Sequence, residues 1–124
     1  MMTRVATSEQ INITLSSDKK SIILRKGDKT WMQTLAEARN VIKGIPVNVC
    51  LIRHHQQTGG EFKDCRNGLI LQQNRTRVNT WVDRKKYSCS ASRLRRLLDG
   101  EITELKMSEY TGRYGKNRKP DGSA

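Results

Sequence analysis

Five residues of this 124-residue chain carry the atom types of a tetrahedral zinc site: Cys50, His54, His55, Cys65 and Cys89. Zinc ligands come in closely spaced pairs, and only Cys50 with His54 has that local spacing. There is no Cys-x2-Cys pair, and the remaining gaps are long. Cys50 also lies in an apolar segment, where a plain buried thiol is the common outcome. The sequence therefore predicts no metal site and no cofactor. A metal-dependent nuclease would need carboxylates to hold a divalent cation and a Lys or His to handle a proton. Glu61-Phe62-Lys63, with His54, His55 and Asp64 nearby, supplies part of such a set. The upstream carboxylates Glu9, Asp18, Asp28 and Glu37 fall in segments that read as tail, turn or helix rather than as an adjacent strand. Nucleophile elbow, phosphate-binding glycine loop and dinucleotide fingerprint are all missing. A non-catalytic protein is expected, with a nuclease as the third reading.

The stronger chemical signal is charge. Twenty-four Lys and Arg against twelve Asp and Glu leave a net +12, a field that favours a polyanionic partner. Its distribution is uneven: residues 1–65 carry +4, residues 66–96 carry +8, and residues 97–124 carry none. The central cluster is Arg66, Arg75, Arg77, Arg84, Lys85, Lys86, Arg93, Arg95 and Arg96, opposed only by Asp83. Spread over a hairpin, its connector and a helix start, such a cluster can neutralise several phosphates and release their counterions. Two aromatic residues are interleaved with it. Trp81 is expected in the core of a chain with so few large apolar residues, which leaves Tyr87 as the residue to stack on an unpaired base. Gln72, Gln73, Asn74 and Asn79 are the nearest candidates to read base edges. Beyond residue 110, Arg113, Lys116, Arg118 and Lys119 form a second basic element with Tyr110 and Tyr114, in a Gly-rich tail that is expected to order on binding.

These residues need elements to hold them. Ile11 to Leu15 alternates apolar and polar, and Ser21 to Arg25 follows a polar turn, which predicts an opening hairpin. Gly27-Asp28 breaks the second strand. Trp31, Leu35, Ala38 and Ile42 then recur at helical steps, predicting a helix over 31–43 with Thr30 as N-cap and Gly44 just past its end. Val47 to Ile52 reads as a buried strand. From His54 to Gly68 the alternation fails: residues 54–60 read as a polar loop or hairpin tip, and Asn67-Gly68 is a tight-turn signal. Residues 69–73 and 77–82 are expected to pair across Asn74-Arg75. Ser90 or Ser92 caps a short helix whose leucines, Leu94, Leu97 and Leu98, share a face, and Gly100 ends it. In residues 101–110, Ile102 and Leu105 suit a helical turn while Thr103, Leu105 and Met107 suit a strand, so both remain open.

Leu, Ile, Val and Phe make up only 26 of the 124 residues, so a single thin core is all the chain can build. The expected architecture is α+β: a small antiparallel sheet of about four or five strands, one packing helix after the first hairpin, a short C-terminal helix and a basic tail. Residues 1–110 form the domain and 111–124 the flexible tail. Three widely spaced cysteines suit free thiols in a reducing compartment, and neither a signal peptide nor a bilayer-spanning apolar run is seen, so the expected location is cytoplasmic and no membrane partner is expected. The expected function is non-catalytic binding of DNA or RNA by an accessory or regulatory protein. In size, charge and scarcity of proline the chain is similar to small accessory proteins of phages and plasmids. The alternative is an interaction module, an inhibitor or assembly factor, that docks an acidic protein or a nucleoprotein complex. DNA versus RNA, strandedness and oligomeric state are left open.

Overall fold

The computed structural model describes residues 10–110, and these form a closed antiparallel barrel of eight strands in sequential order. The strands are β1 (Gln10–Leu15), β2 (Ser21–Lys26), β3 (Lys29–Thr34), β4 (Val47–His54), β5 (Glu61–Asn74), β6 (Arg77–Val82), β7 (Lys85–Ser90) and β8 (Glu104–Glu109). Two short helices interrupt them: α1 (Leu35–Ala38), continued by a 3-10 segment over Arg39–Lys43, and α2 (Ala91–Leu98). The expected α+β fold, a four- or five-stranded sheet with a packing helix, is thus replaced by a nearly all-β barrel. Closure comes from β1, which pairs with β8 through Ile11 opposite Met107 and Ile13 opposite Leu105, and leaves the sheet without a free edge.

Strand alternation fills the interior. Ile11, Ile13, Ile22, Leu24, Trp31, Val47, Val49, Leu69, Leu71, Val78, Tyr87 and Met107 point inward and are buried in one cluster. The opposite parity is mostly polar or charged, with Ile23, Met32, Ile70 and Trp81 among the exceptions. No described helix is long and apolar enough to cross a membrane. One end of the barrel is covered by helices: α2 packs on the 3-10 segment and on β6, β7, β8 and β1, burying Leu94, Leu97 and Leu98. Arg39 ties the two together, donating to the Leu98 carbonyl at 2.9 Å and pairing with Asp99 at 3.1 Å. Ser90 Oγ accepts from the Arg93 amide as N-cap, and Gly100, with φ +80°, follows the C-cap, both as the sequence predicts.

Three expectations fail for identifiable reasons. The helix over 31–43 is instead strand β3 followed by one turn of α-helix and the 3-10 segment. Gly27 and Asp28 form a two-residue hairpin loop that sets Lys29–Thr34 against β2, with Trp31 opposite Leu24, and Thr34 rather than Thr30 is the N-cap. The hairpin tip read at 54–60 is present, a turn near Gly59 that joins β4 to β5, but residues 61–68 are strand rather than loop, the first half of β5 paired with β4 as a ribbon. Asn67-Gly68 makes no turn there; it lies at a register shift between the Val49–Leu69 and Leu51–Asp64 pairs, where Gly68 passes against the Val49 carbonyl. Last, Cys50 and Cys65 are not free thiols. They form a disulfide across β4 and β5, which removes the thiol argument for a reducing compartment. The expected tail over 111–124 lies outside the described residues.

Candidate nucleic-acid interface

Strand parity decides which of the predicted residues reach a common surface. On β6, Val78, Thr80 and Val82 are buried, so Arg77, Asn79 and Trp81 project outward. On β7, Tyr87 and Cys89 are inward, so Lys86 and Ser88 face the outer side, where Ser88 is itself covered, at 4% exposure. The register then builds cross-strand rows on the outer face. Asn74 stands opposite Arg77; Gln72, Asn79, Ser88 and Ser108 are opposite one another in turn; and Trp81 is opposite Lys86. The Tyr110 amide donates to the Lys86 carbonyl at 2.7 Å, and the Lys86 ammonium lies 4.8 Å from the Tyr110 ring centroid. Arg77 Nε donates to Ser88 Oγ at 2.9 Å. Arg77 and Lys86 line one shallow depression with Asn74, Asn79, Ser88 and Tyr110. Between Gly68 and Val82 and between Lys85 and Ser90 the chain has no carboxylate, so cations and amides dominate this face.

The basic cluster as a whole divides. Arg75, Arg93, Arg95 and Arg96 lie at the helical end, where Arg75 and Arg95 share a groove with Ser90 and Ser92. Arg96 is turned to Glu101 at 3.4 Å. Arg84 and Lys85 lie at the opposite end, at the β6–β7 turn, and Arg66 is on the outer half of β5. Arg77 and Lys86 connect the two groups along the barrel wall. Arg113, Lys116, Arg118 and Lys119 lie outside the described residues.

The aromatic assignments are reversed. Tyr87, expected to stack on a base, is fully buried in the core, while Trp81, expected in the core, is 62% exposed. Gln73 also leaves the set of base readers, because it faces inward and donates to the Arg75 carbonyl at 2.8 Å. The exposure of Trp81 has a signal in the sequence: it shares the odd-numbered parity of Arg77 and Asn79, whereas the even positions are Val78, Thr80 and Val82.

The other candidate chemistries do not assemble. Cys50 and Cys65 are bonded to each other, and Cys89 is buried with its thiol pushed up to about 12 by desolvation, against the pull of Arg77 and Arg93. Among the described residues, no cluster of three or more His, Cys, Asp or Glu is placed to hold a metal ion. Glu61 is paired with His54 at 3.3 Å. Asp64 accepts from the Asn67 side chain at 2.8 Å and pairs with Arg53 at 3.1 Å, which together hold its carboxyl below the usual range. His55 stacks on Phe62 with centroids 4.5 Å apart near the tip of the β4–β5 ribbon.

Comparison with known proteins adds no assignment. No protein-family model, curated protein or solved structure matches this chain. Function therefore rests on the chemistry of the surface itself.

Proposed function

We propose that the protein is a non-catalytic nucleic-acid-binding accessory or regulatory protein that holds the phosphate backbone on the outer wall of β6 and β7 and on the basic groups at its two ends. The observation that supports this is the outer face of β6 and β7, strands without a carboxylate, carrying Arg77, Lys86 and the amide of Asn79, with the amide of Asn74 from β5, in adjacent cross-strand rows. Phosphate contacts supply affinity and register, and the amides of Gln72, Asn74 and Asn79 are within reach of base edges. A DNA or RNA partner is also what argues for a cytoplasmic setting, since the cysteines do not.

The test is anisotropy titration of labelled DNA and RNA at several salt concentrations. Binding should weaken steeply with salt, and Arg77→Ala with Lys86→Ala should reduce the slope of log K against log salt by about 0.7–0.9 for each phosphate the two cations neutralise. An unchanged slope removes this wall from the interface. The second reading, a module that docks an acidic protein or a nucleoprotein, draws on the 48% and 62% exposure of Ile70 and Trp81, apolar chains that a protein partner would cover. It predicts weak binding to free nucleic acid in the same titration.

A further inference from the structure

We infer that Trp81 is a stacking platform for an unpaired base, and hence that the nucleic acid this protein prefers is single-stranded. The inference rests on the nucleic-acid reading above and gives its substrate class. A tryptophan in a thin-cored barrel is normally inside, as Trp31 is at 3% exposure; Trp81 is instead 62% exposed on a strand whose inward positions are filled without it. Its indole is therefore left on the surface rather than used in the core.

Trp81 lines a depression with Lys29, Asn67 and Asp83, whose one carboxylate is paired with Lys29 at 3.4 Å, and the residues beside it on β6 and β7 suit a nucleotide. Lys86 is directly across the strand pair from Trp81, and side chains at such positions start about 4.5–5.5 Å apart, within the span of one base and its phosphate. Tyr110, itself 44% exposed, holds the Lys86 ammonium 4.8 Å from its ring centroid, which keeps the cation on the outer face that also carries Trp81. Next along β6 on the same face, Asn79 offers an amide to the edge of the adjoining base. A duplex cannot use this arrangement, since its bases are already stacked on one another; a single strand can lay a base on the indole and a phosphate on the lysine.

The two tryptophans make the test direct. Trp31 is buried but lines the same depression as Trp81, so the emission change is assigned to Trp81 by its loss in the Trp81 variants, which keep Trp31. An oligo-dT of about 15 nucleotides, long enough to fill a single-strand site, and a blunt duplex of equal length are titrated against the wild-type protein, Trp81→Ala and Trp81→Phe, following both tryptophan emission and anisotropy. The expected result is quenching by the single strand alone, about ten-fold weaker binding for Trp81→Ala, most of the affinity retained by Trp81→Phe, and an unchanged salt slope in both variants, because no charge is removed. Duplex binding as tight as single-strand binding, or undiminished affinity in Trp81→Ala, overturns the stacking assignment and leaves the nucleic-acid reading in place. A dimer in sedimentation without nucleic acid, dispersed by Trp81→Ala, assigns the indole to a second copy and also overturns it. Failure of every oligonucleotide to bind at low salt removes both readings together.

Discussion

Arg75 and Arg84 occupy the left-handed backbone region at opposite ends of β6, with φ of +59° and +69°. Each lies in a two-residue hairpin loop, Arg75-Thr76 or Asp83-Arg84, where glycine would be the ordinary choice. A non-glycine residue there costs about 1–2 kcal/mol. Replacing either arginine by glycine should therefore raise stability by about 0.5–1 kcal/mol in urea unfolding, after the extra unfolded-state freedom of glycine is deducted. If both arginines are retained for phosphate contact, the same variants should bind nucleic acid more weakly. A variant that gains stability and keeps full affinity would show that the arginine at that turn does not touch the ligand.

Gly68 gives a prediction of opposite sign. A Cβ built there would meet the Val49 carbonyl and the Asn48 side chain, both fixed within the bulged pairing of β4 and β5. Asn48 is further held by its donation to the Cys65 carbonyl at 2.8 Å, and its own carbonyl accepts from Gln33 at 2.8 Å. Because the neighbours are backbone and an anchored amide, neither can move aside cheaply. Gly68→Ala should cost about 2–4 kcal/mol, measured as a lower urea midpoint at unchanged m. An unaltered midpoint would mean the bulge relaxes freely.

The disulfide joins residues 15 positions apart, Cys50 and Cys65, at the root of the projecting ribbon. On the chain-entropy account a loop of that size contributes about 3 kcal/mol. Reduction, or Cys50→Ala with Cys65→Ala, should lower stability by roughly that amount. Thiol titration of the unreduced, denatured protein should find Cys89 alone, and the native protein should react slowly or not at all because Cys89 is buried. Three reactive thiols without reductant would disprove the bond.

Much of the fold is written locally in the chain, and the failures share a cause. The hairpin of Ile11–Leu15 with Ser21–Arg25, the strand from Val47, the pairing of β5 with β6, though across Arg75-Thr76 rather than Asn74-Arg75, and the Ser90-capped helix over Leu94, Leu97 and Leu98 all follow from alternation, turn residues or caps a few positions apart. Barrel closure does not: Gln10 meets Ser108 across nearly the whole described chain, and no local pattern encodes that. Once the barrel exists it recruits segments against their local signals. Trp31 with Leu35, Ala38 and Ile42 has helical spacing, yet Trp31 is drawn into β3 by the tight loop at Gly27-Asp28. Asn67-Gly68 looks like a turn until the β4 backbone needs its close approach. At the site the conflict is between size and parity. The bulk of Trp81 argues for the core, but Val78 and Val82 already mark the inward positions of β6, and parity prevails. A hairpin and a helix do carry the basic residues, but only the sheet register separates the wall of Arg77 and Lys86 from the groups at the two ends.

Cys89 gives a pH dependence whose sign can be worked out. Burial raises its thiol from an ordinary value of 9.0 to about 12 in the folded barrel. Between those two values the unfolded chain has lost the thiol proton and the folded chain keeps it, so the folded state binds more protons and stability falls as pH rises. The contribution is intact below about pH 9 and is lost progressively toward pH 12, amounting to a few kcal/mol at most. Lysine and tyrosine titrate in the same range, so the diagnostic quantity is the difference between wild type and Cys89→Ala. The variant should be less stable near neutral pH, where only the small cavity it leaves counts, and the gap should narrow or reverse by about pH 11. Parallel stability curves from about pH 8 to 11 would mean that the thiol is hydrated in the folded protein, and with it the β7 face of the core.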